Sequence, residues 1–519
     1  MRKLPVGIQD FKKIREGNYL YIDKTADIFN LASSGSVYFF SRPRRFGKSL
    51  LISTLNYYFS GRKNLFTGLA IEKLEHDWSE HQVICFDFNA EKYTHPNSLE
   101  NFIDEILCKY EDKYSIKKKT HSLSSRFRKL LETIYTRTGH GAVVLVDEYD
   151  KPLLTTMEDE ALNKDYRNTY KAFFGVLKSC DEYLHFVFFT GVTKFTQVSI
   201  FSDLNQLRDI SYDEKYSALC GITHNELVSD FIPEIQEMAH KQKISYENCI
   251  EKLKEMYDGY HFSNNSEGIY NPFSLLNALL DKEFNYYWFA TGTPTFLIKK
   301  IEMADWQIID YSEGIAAEPQ ILNDYSINSN DPTPLLYQTG YLTIKNYDKD
   351  FNLYILTYPN NEVKEGFVKS LIPSYLKTNE AISALNVREF AKDLYSCDIE
   401  SFFERLQAVY ANLPYGNQPK FMERDFHNVI YLVFLLLGQA VQNEVHYAKG
   451  RADCVLQTKD YVYIFEFKID KSADEALQQI EDRNYAMPFI ADNHTVVKIG
   501  VNFDSSERNI IEWKVNSKK

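Results

Sequence analysis

Residues 42–49 read Arg-Pro-Arg-Arg-Phe-Gly-Lys-Ser and stand between an apolar run at 37–41 and an apolar stretch at 50–52. Backbone N–H groups at a helix N-terminus can bind an anion, a lysine can reach the outer phosphates, and a serine hydroxyl can bind Mg²⁺. The pattern therefore predicts a phosphate-binding loop for ATP. It departs from the usual pattern at Arg42, where such loops carry their first glycine. The cofactor-binding residues predicted in this segment are Arg44, Arg45, Phe46, Gly47, Lys48, Ser49 and Leu50.

A second group of reactive side chains follows the apolar run at 143–146, which ends in Asp147 and Glu148. Carboxylates at the carboxyl end of a parallel strand lie where ligands bind in open α/β sheets. We expect Asp147 to bind Mg²⁺, directly or through water, opposite Ser49, and Glu148 to orient and deprotonate the attacking water. Thr193 and Lys194 end the next apolar run and could contact the γ-phosphate or its water. A strand-end turn with a surface lysine is the equal alternative for that pair.

A third group lies near the C-terminus, where residues 450–456 and 461–468 predict two strands joined by a turn at 457–460. In such a hairpin Asp453 lies opposite Glu466, and Glu466 and Lys468 share one face because side chains alternate along a strand. Two carboxylates would bind Mg²⁺, and the lysine would position water or stabilise charge on a phosphate. An exposed charged strand is the alternative, although unpaired charges in an otherwise apolar strand would be costly.

The elements that must position these groups are visible in the apolar periodicity. Runs at 37–41, 83–88, 142–146 and 185–190 alternate with helical stretches, which predicts a doubly wound or P-loop-type parallel α/β sheet. Residues 223–226 have capping-box form and predict the start of a helical lid.

Other segments predict structure without clear chemistry. Short strands at 341–344 and 353–356, among helices, predict a connector or a small winged module. An apolar helix at 427–441 should precede the C-terminal hairpin and end near Glu444, a further candidate carboxylate beside the metal. Asp258 and His261 fit a buried turn better than an acid/base pair.

Residues 21–25, 42–49, 145–153 and 190–195 together resemble the bacterial AAA-ATPase-like family, whose members carry a C-terminal PD-(D/E)XK nuclease domain. The resemblance covers nearly the whole chain and implies that Arg42 is a family variant of the loop. Gly47 still supplies the closest backbone approach, and Pro43 fixes φ in the loop. Arg44 and Arg45 could add charge near the phosphates or lie at the surface, and these two alternatives are equal.

The chain of 519 residues is too long for a single core. We expect an ATPase-like domain at 1–222, a helical lid and connector at 223–400, and a nuclease-like domain at 401–519. The net charge of −13 argues against a protein that coats nucleic acid nonspecifically. Contact with DNA or RNA must then be local, and the basic candidates are residues 117–119 and 126–129, although a solvated helix face or loop fits both better.

The seven scattered cysteines include no C-x-x-C pair, so they indicate neither a zinc site nor a disulfide framework and fit a reduced, cytoplasmic protein. The longest apolar run, 429–437, is far shorter than the ~20 residues that span a bilayer, so we expect no membrane partner. The N-terminus lacks the apolar core of a signal peptide.

The function expected is an ATP hydrolase fused to a Mg²⁺-dependent nuclease, in which ATP regulates the processing of DNA or RNA. The resemblance further implies a glutamine beside the nuclease site, for which the helix carrying Gln478 and Gln479 is the candidate. The alternative is a slow ATP-dependent signalling or assembly switch whose nuclease-like domain only binds. The sequence leaves open whether the chain forms a homo-oligomer.

Overall fold

The computed structural model describes residues 2–117, 122–194, 204, 206–289, 297, 311, 314–323, 331–376, 386–413, 426, 429–430, 432–434, 436–437, 454–486, 489 and 494–518. Two compact units divide the chain: residues 1–300 with 311–363, and residues 301–310 with 364–519. The domain boundaries expected at 222/223 and 400/401 stay predictions.

A five-stranded parallel sheet forms the centre of the first unit. Its strands are β1 (Val37–Ser41), β2 (Val83–Asp87), β3 (Ala142–Asp147), β4 (Leu184–Gly191) and β5 (Arg208–Asp209), in the order β2-β3-β4-β1-β5. The four apolar runs are thus strands, and the predicted α/β class is confirmed. Consecutive residues of β1 and β3 are buried because helices cover the sheet. Strand β4 lies between β1 and β3, so its end lies between the two predicted site segments.

The α-helices that the structure describes around this sheet are α1 (Phe11–Glu16), α2 (Thr25–Ser34), α3 (Lys48–Phe59), α4 (Ser98–Lys113), α5 (Leu123–Thr138), α6 (Lys151–Thr155), α7 (Glu160–Phe174) and α8 (Val176–Ser179). The buried Arg126 of α5 forms ion pairs with Glu111 at 2.7 Å and with Asp104, both on α4. This guanidinium holds two helices together. At Arg126, therefore, the segment 126–129 is neither a surface that could contact nucleic acid nor a solvated helix face. Lys118 and Lys119 lie outside the described residues.

The predicted lid is a small helical subdomain. It consists of β6 (Ile222–Thr223), α9 (His224–Asp230), α10 (Ile232–Gln242), α11 (Tyr246–Tyr257), β7 (Ile269–Tyr270) and α12 (Pro272–Asp281). The capping box is confirmed, because the Thr223 side chain accepts from the Glu226 N–H and the Glu226 carboxylate accepts from the Thr223 N–H. Phe231, Met238 and Leu275 lie in a common apolar core with Leu20 from the N-terminal segment.

A small strand–helix module follows. Its elements are β8 (Ile315–Ala317), α13 (Pro319–Asn323), α14 (Thr333–Thr339), β9 (Thr343–Asp348) and β10 (Leu353–Thr357), with β10 between β8 and β9. The two predicted strands are confirmed, and the choice between a connector and a small winged module stays a prediction. Every residue of α14 is buried, whereas Phe351 at the hairpin tip is 75% exposed.

The second unit is built on a four-stranded sheet. It contains the end of α15 (Asn361–Leu376), then α16 (Val387–Ser396), α17 (Ile399–Ala411), β11 (Cys454–Gln457), β12 (Tyr461–Ile469), α18 (Ala473–Asp482), β13 (Thr495–Asp504) and β14 (Asn509–Lys518). The strand order is β11-β12-β13-β14, with β12 and β13 parallel. Val433 and Phe434, from the apolar helix expected at 427–441, are helical and buried in its main core. Glu444 lies outside the described residues.

Among the described helices, none is both long and apolar enough to cross a bilayer.

The sheet of the first unit carries a histidine pair at its amino edge that predicts acid sensitivity. The His81 and His185 rings stack with centroids 3.8 Å apart. His185 is exposed on one side of this stack, and partial desolvation of its ring, with the charges of His81 and His140, lowers its pKa to about 4. The neutral His185 therefore contributes to the free energy of unfolding above the ordinary histidine pKa of about 6.5. This contribution is lost as the pH falls from there toward 4.

We expect His185→Phe, which keeps a ring in the stack, to shrink the loss of thermal midpoint between pH 7.5 and pH 5. Exposed His76→Phe is the matched control and should leave that loss as in the wild type. Thermal unfolding of the full chain at the two pH values measures both. An unchanged pH dependence in His185→Phe would contradict the assignment.

Candidate functional sites

The predicted phosphate loop connects β1 to α3. Gly47 caps α3 with φ +94°, a left-handed conformation that favours glycine, and a methyl group added there would meet no atom within 4 Å. Lys48 begins the helix, and its Nζ donates to the carbonyl oxygens of Arg42 and Pro43, each at 3.0 Å. Ser49 follows and is half-buried. The loop thus presents an open backbone turn at a helix N-terminus with the lysine folded beneath it.

Arg42 turns away from the loop into the protein and is 1% exposed. Its guanidinium donates to the carbonyl oxygens of Ser41 and Ser211 at 2.8 Å, Tyr216 at 3.1 Å and Ser217 at 3.3 Å. It also lies between the rings of Phe40 and Phe262, at 4.2 and 3.9 Å from their centroids. Burial lowers its pKa to about 10, so it stays charged at neutral pH. An arginine fits at the usual glycine position because its side chain leaves the loop.

The other two loop arginines differ in their surroundings. Arg45 has φ +68°, and its guanidinium donates to the carbonyl oxygens of Tyr287 and Trp288, both at 3.2 Å. Arg44 is half-buried and close enough to Glu148 for its charge to act on that carboxyl. Contact of either arginine with phosphate stays a prediction, and Arg44 is the better placed.

Asp147 and Glu148 end β3 beside the end of β4. Asp147 is 5% exposed, and its Oδ1 accepts from the Thr190 hydroxyl at 2.5 Å. The same hydroxyl oxygen accepts from the Glu148 N–H at 3.3 Å. Glu148 has φ +50°; burial raises its pKa, and the nearby Lys48 opposes this most strongly. Thr190 therefore orients one carboxylate and the backbone of the other.

Thr193 and Lys194 are brought to the same edge of the sheet but are engaged by other residues. The Thr193 N–H and hydroxyl both donate to Asp150 Oδ2 at 2.7 Å. Lys194 is 2% exposed and pairs with Asp209 at 2.7 Å, and its N–H donates to Gln338 of α14 at 2.8 Å. Burial, partly offset by Asp209, lowers the pKa of Lys194 to about 8. Their role toward a γ-phosphate stays a prediction.

A largely apolar pocket of about 680 Å³, counting its open mouth, lies beside the loop. Phe46, Gly47 and Leu50 form one wall, Tyr21 and Ile22 another, and the segment 219–222 leading into the lid a third. Three residues of the predicted cofactor set thus adjoin one enclosed volume.

The segment 21–25 is held in place by contacts that explain its residue types. Asp23 Oδ1 accepts from the N–H and hydroxyl of Thr25 at the start of α2, and its Oδ2 accepts from the Ala70 N–H at 2.7 Å. Lys24 lines the pocket and pairs with both oxygens of Glu226 in α9, at 2.5 and 2.7 Å. The same glutamate closes the capping box, so the pocket wall and the lid share one ion pair.

The second candidate site lies on β12. Glu466 is 1% exposed in this strand, and its Oε1 accepts from Lys468 Nζ at 3.1 Å and from Gln479 Nε2. Gln479 Oε1 in turn accepts from Lys468 Nζ at 2.7 Å. Glu466 and Lys468 thus share one face, as predicted, and the implied glutamine is Gln479, since Gln478 instead bonds to Asp482.

The hairpin before this site has the expected register. Cys454 pairs with Phe465, and the turn lies at 458–460. Asp453 is outside the described residues, so its place opposite Glu466 stays a prediction. Within the described part of the chain, no three His, Cys, Asp or Glu side chains converge as metal ligands.

Gly500 sets how closely α18 approaches the sheet. It lies on β13 and pairs with Glu466 of β12, and a Cβ on Gly500 would lie 2.3 Å from the Ala473 carbonyl oxygen and 2.7 Å from the Leu477 nitrogen. Backbone of α18 therefore packs directly over Gly500, which brings Gln479, two residues further along the helix, over the Glu466–Lys468 pair.

Sequence reasoning missed Thr190, Asp87 and Gly500 as site residues. Asp87 ends β2 in register with Asp147 and is exposed on one side; partial desolvation and the Asp147 charge raise its pKa, against a hydrogen bond from the Asn89 N–H. Polar residues closing the apolar runs at 83–88 and 185–190 were the available signal for Asp87 and Thr190. A lone glycine inside an apolar strand was the signal for Gly500.

The first site combines a phosphate-loop turn before a helix with paired acidic residues at the end of a parallel strand, which defines a P-loop ATPase-type domain. The second has the Glu-x-Lys strand of a PD-(D/E)XK-type domain. Residues 5–201 match the family model for predicted AAA-ATPases, and residues 421–513 match the PD-(D/E)XK nuclease superfamily. The chain therefore belongs to the family of AAA-ATPase-like proteins that carry a C-terminal PD-(D/E)XK nuclease superfamily domain.

A relative spans the whole chain. An uncharacterized protein encoded in the vnfD 5′ region of Azotobacter chroococcum mcd 1 is 34% identical over 530 residues and covers 99% of each protein. Among solved structures, the Aeropyrum pernix ORC2 protein, in ADPNP–ADP complexes, is 10% identical with a TM-score of 0.28, over 69% of this chain and 98% of that one. A likeness at that score supports no structural conclusion.

Substitution of Gly500 tests the packing of α18. Gly500→Ala places a methyl group against helix backbone, and overpacking of this kind costs about 1–3 kcal/mol of unfolding free energy. Urea unfolding followed by far-UV circular dichroism measures the loss. Thr495→Ala, half-buried on the same strand, is the control and should stay within about 0.5 kcal/mol of the wild type. Equal stability of the two variants would contradict the close packing.

Proposed function

We propose that the first site binds ATP and hydrolyses it. The observation that carries this proposal is the meeting of Lys48, Asp147 and Glu148 at the ends of β1 and β3, with Thr190 of β4 bonded between the two acidic residues. The phosphates would lie on the open turn at Gly47, where backbone N–H groups and the start of α3 favour an anion. Lys48 would exchange its two loop carbonyls for phosphate oxygens.

The pocket beside the loop fits the base and sugar of the nucleotide. Its walls at Tyr21, Ile22 and Leu50 are apolar side chains, and it adjoins Gly47. An apolar enclosure next to an anion-binding turn matches the two chemically different ends of ATP.

Ser49 and Asp147 would hold Mg²⁺, since one is a hydroxyl in the first turn of α3 and the other a buried carboxylate whose Oδ1 is oriented by Thr190. The ion would neutralise charge that develops on the phosphates. Glu148 would accept the proton of the attacking water. Burial raises its pKa and thereby its basicity, and its position next to Lys48 keeps the base near the phosphate end of the site.

For the second unit we propose Mg²⁺-dependent hydrolysis of DNA or RNA phosphodiesters. Glu466, together with Asp453, would hold the ion, and Lys468 would position water or stabilise charge on the phosphate. Support comes from the hydrogen-bonded set of Glu466, Lys468 and Gln479, which fixes both charged groups on one face of β12. We further propose that ATP bound in the first unit regulates this cleavage. The proposed domain limits are 1–222, 223–400 and 401–519.

We expect Lys48→Ala to abolish ATP binding, because the amine is the main positive charge at the turn. Titration of the purified chain with a fluorescent ATP analogue in Mg²⁺ measures the dissociation constant. Exposed Lys63→Ala, past the end of α3, is the control and should bind as the wild type. Equal affinity of Lys48→Ala and wild type would remove the phosphate-loop assignment.

We expect Glu466→Ala and Glu466→Gln to abolish Mg²⁺-dependent cleavage while ATP binding is retained. The assay offers single-stranded DNA, duplex DNA and RNA with and without ATP, and exposed Glu507→Ala is the control. If the wild type binds ATP and cleaves none of these substrates, the nuclease proposal fails. The slow signalling or assembly switch, with a domain that only binds, is then the better account.

A further inference from the structure

The phosphate loop and α15 both bond to the peptide group between Tyr287 and Trp288, one at its carbonyl oxygen and the other at its N–H. Arg45 donates to the carbonyl oxygens of Tyr287 and Trp288, both at 3.2 Å. The Trp288 N–H donates to Glu362 Oε1 at 2.8 Å. Residues 287–288 therefore form a peptide bridge between a guanidinium of the loop and a carboxylate of α15, all within the first compact unit.

The carboxylate end of this bridge is buried, and the guanidinium end is half-buried. Glu362 is 1% exposed in the first turn of α15, and the Arg45 guanidinium lies over the Phe273 ring, 4.0 Å from its centroid. A buried charge that loses its partner stays uncompensated, so removal of either end should disturb the other.

The loop needs such an anchor because Arg45 is in a left-handed conformation. Its φ of +68° is unfavourable for a residue with a side chain, and it precedes the Gly47 turn by two residues. Contacts outside the loop must hold it there. The two described hydrogen bonds of its side chain are those to residues 287 and 288.

We propose that Glu362 is a positioning residue for the phosphate loop: through the peptide groups of Tyr287 and Trp288 it holds Arg45, and so fixes the turn that binds phosphate. The proposal rests on ATP binding at this loop. Glu362 would not touch the nucleotide. Its loss should raise KM and the dissociation constant for ATP, while kcat at saturating ATP changes little.

The bridge also gives the loop a pH dependence. Burial raises the pKa of Glu362 to about 7, opposed first by the hydrogen bond from Trp288 and more weakly by the Arg45 charge. The other titratable groups facing it are the phenols of Tyr257 and Tyr260, whose own raised pKa values keep them neutral. The carboxylate is charged above pH 7 and neutral below it, so ATP binding should weaken as the pH falls from 8 to 6.

The test uses the full chain with a fluorescent ATP analogue and Mg²⁺ between pH 6 and 8. We expect Glu362→Ala to weaken binding about tenfold at pH 8, equivalent to about 1.4 kcal/mol. Glu362→Gln keeps an acceptor for the Trp288 N–H, so it should weaken binding less and flatten the pH profile. Lys369→Ala, in an exposed i,i+4 pair on the same helix, is the matched control and should bind as the wild type.

The outcomes separate this inference from the proposed function. A wild type that binds no ATP overturns both. A wild type that binds ATP, with Glu362→Ala equal to Lys369→Ala or Glu362→Gln keeping the wild-type pH profile, overturns the positioning role alone. If Glu362→Ala does not fold, the positioning role is tested by a double-mutant cycle. ATP binding is then measured for Arg45→Gln, for Glu362→Gln and for the variant that carries both substitutions. Additive losses in that cycle contradict the bridge, and losses below the sum support it.

Discussion

The ends of parallel strands meet at one edge of a sheet, and the first unit depends on this constraint. The strand that ends in the phosphate loop and the strand that ends in two carboxylates are separated by β4 alone. One hydroxyl at the end of β4 then bonds to both acidic residues. A lysine and two carboxylates from segments a hundred residues apart are brought together by strand order, before any side-chain contact between them is considered.

The arginine-rich loop illustrates how positive charge can serve structure beside a proposed anion site. Arg42 is surrounded by carbonyl oxygens and two aromatic rings, and Arg45 by two carbonyl oxygens and one ring. A guanidinium suits both places because it offers five donors in a plane and is weakly hydrated for a cation. The groups that accept their hydrogen bonds are neutral carbonyls, while Glu362 acts on the Arg45 charge and Asp209 on the Arg42 charge from further away. The field of both arginines still favours a nearby phosphate, although neither side chain needs to touch it.

The second unit solves the cost of charge inside an apolar strand by a compact hydrogen-bonded set. Glu466 and Lys468 lie between apolar residues of β12, and Gln479 from α18 bonds to both. The helix reaches them because Gly500 leaves no side chain beneath it. In this shielded place the carboxylate and the amine compensate each other's charge.

Patterns that are local in the sequence determined many of the structural elements of this protein. Apolar runs predicted four strands of the parallel sheet because both faces of those strands are covered, and the lid capping box and the hairpin register followed from short-range hydrogen bonding and side-chain alternation. The acidic strand end, the glycine–lysine turn and the Glu-x-Lys strand were also local, so the two sites could be predicted by residue type. The side chains Arg42, Arg45 and Lys194, by contrast, have roles that no local pattern contains.

Only the tertiary structure decided where those side chains point. Arg42 bonds to Ser211, 169 residues away, Arg45 to carbonyls more than 240 residues away, and Lys194 to Asp209 and Gln338. The tertiary structure also decided between Gln478 and Gln479. The packing of α18 on Gly500 places Gln479 beside Lys468, whereas Gln478 bonds to Asp482. A long polar side chain can reach several partners, and which one it meets depends on elements distant in sequence that fold against it.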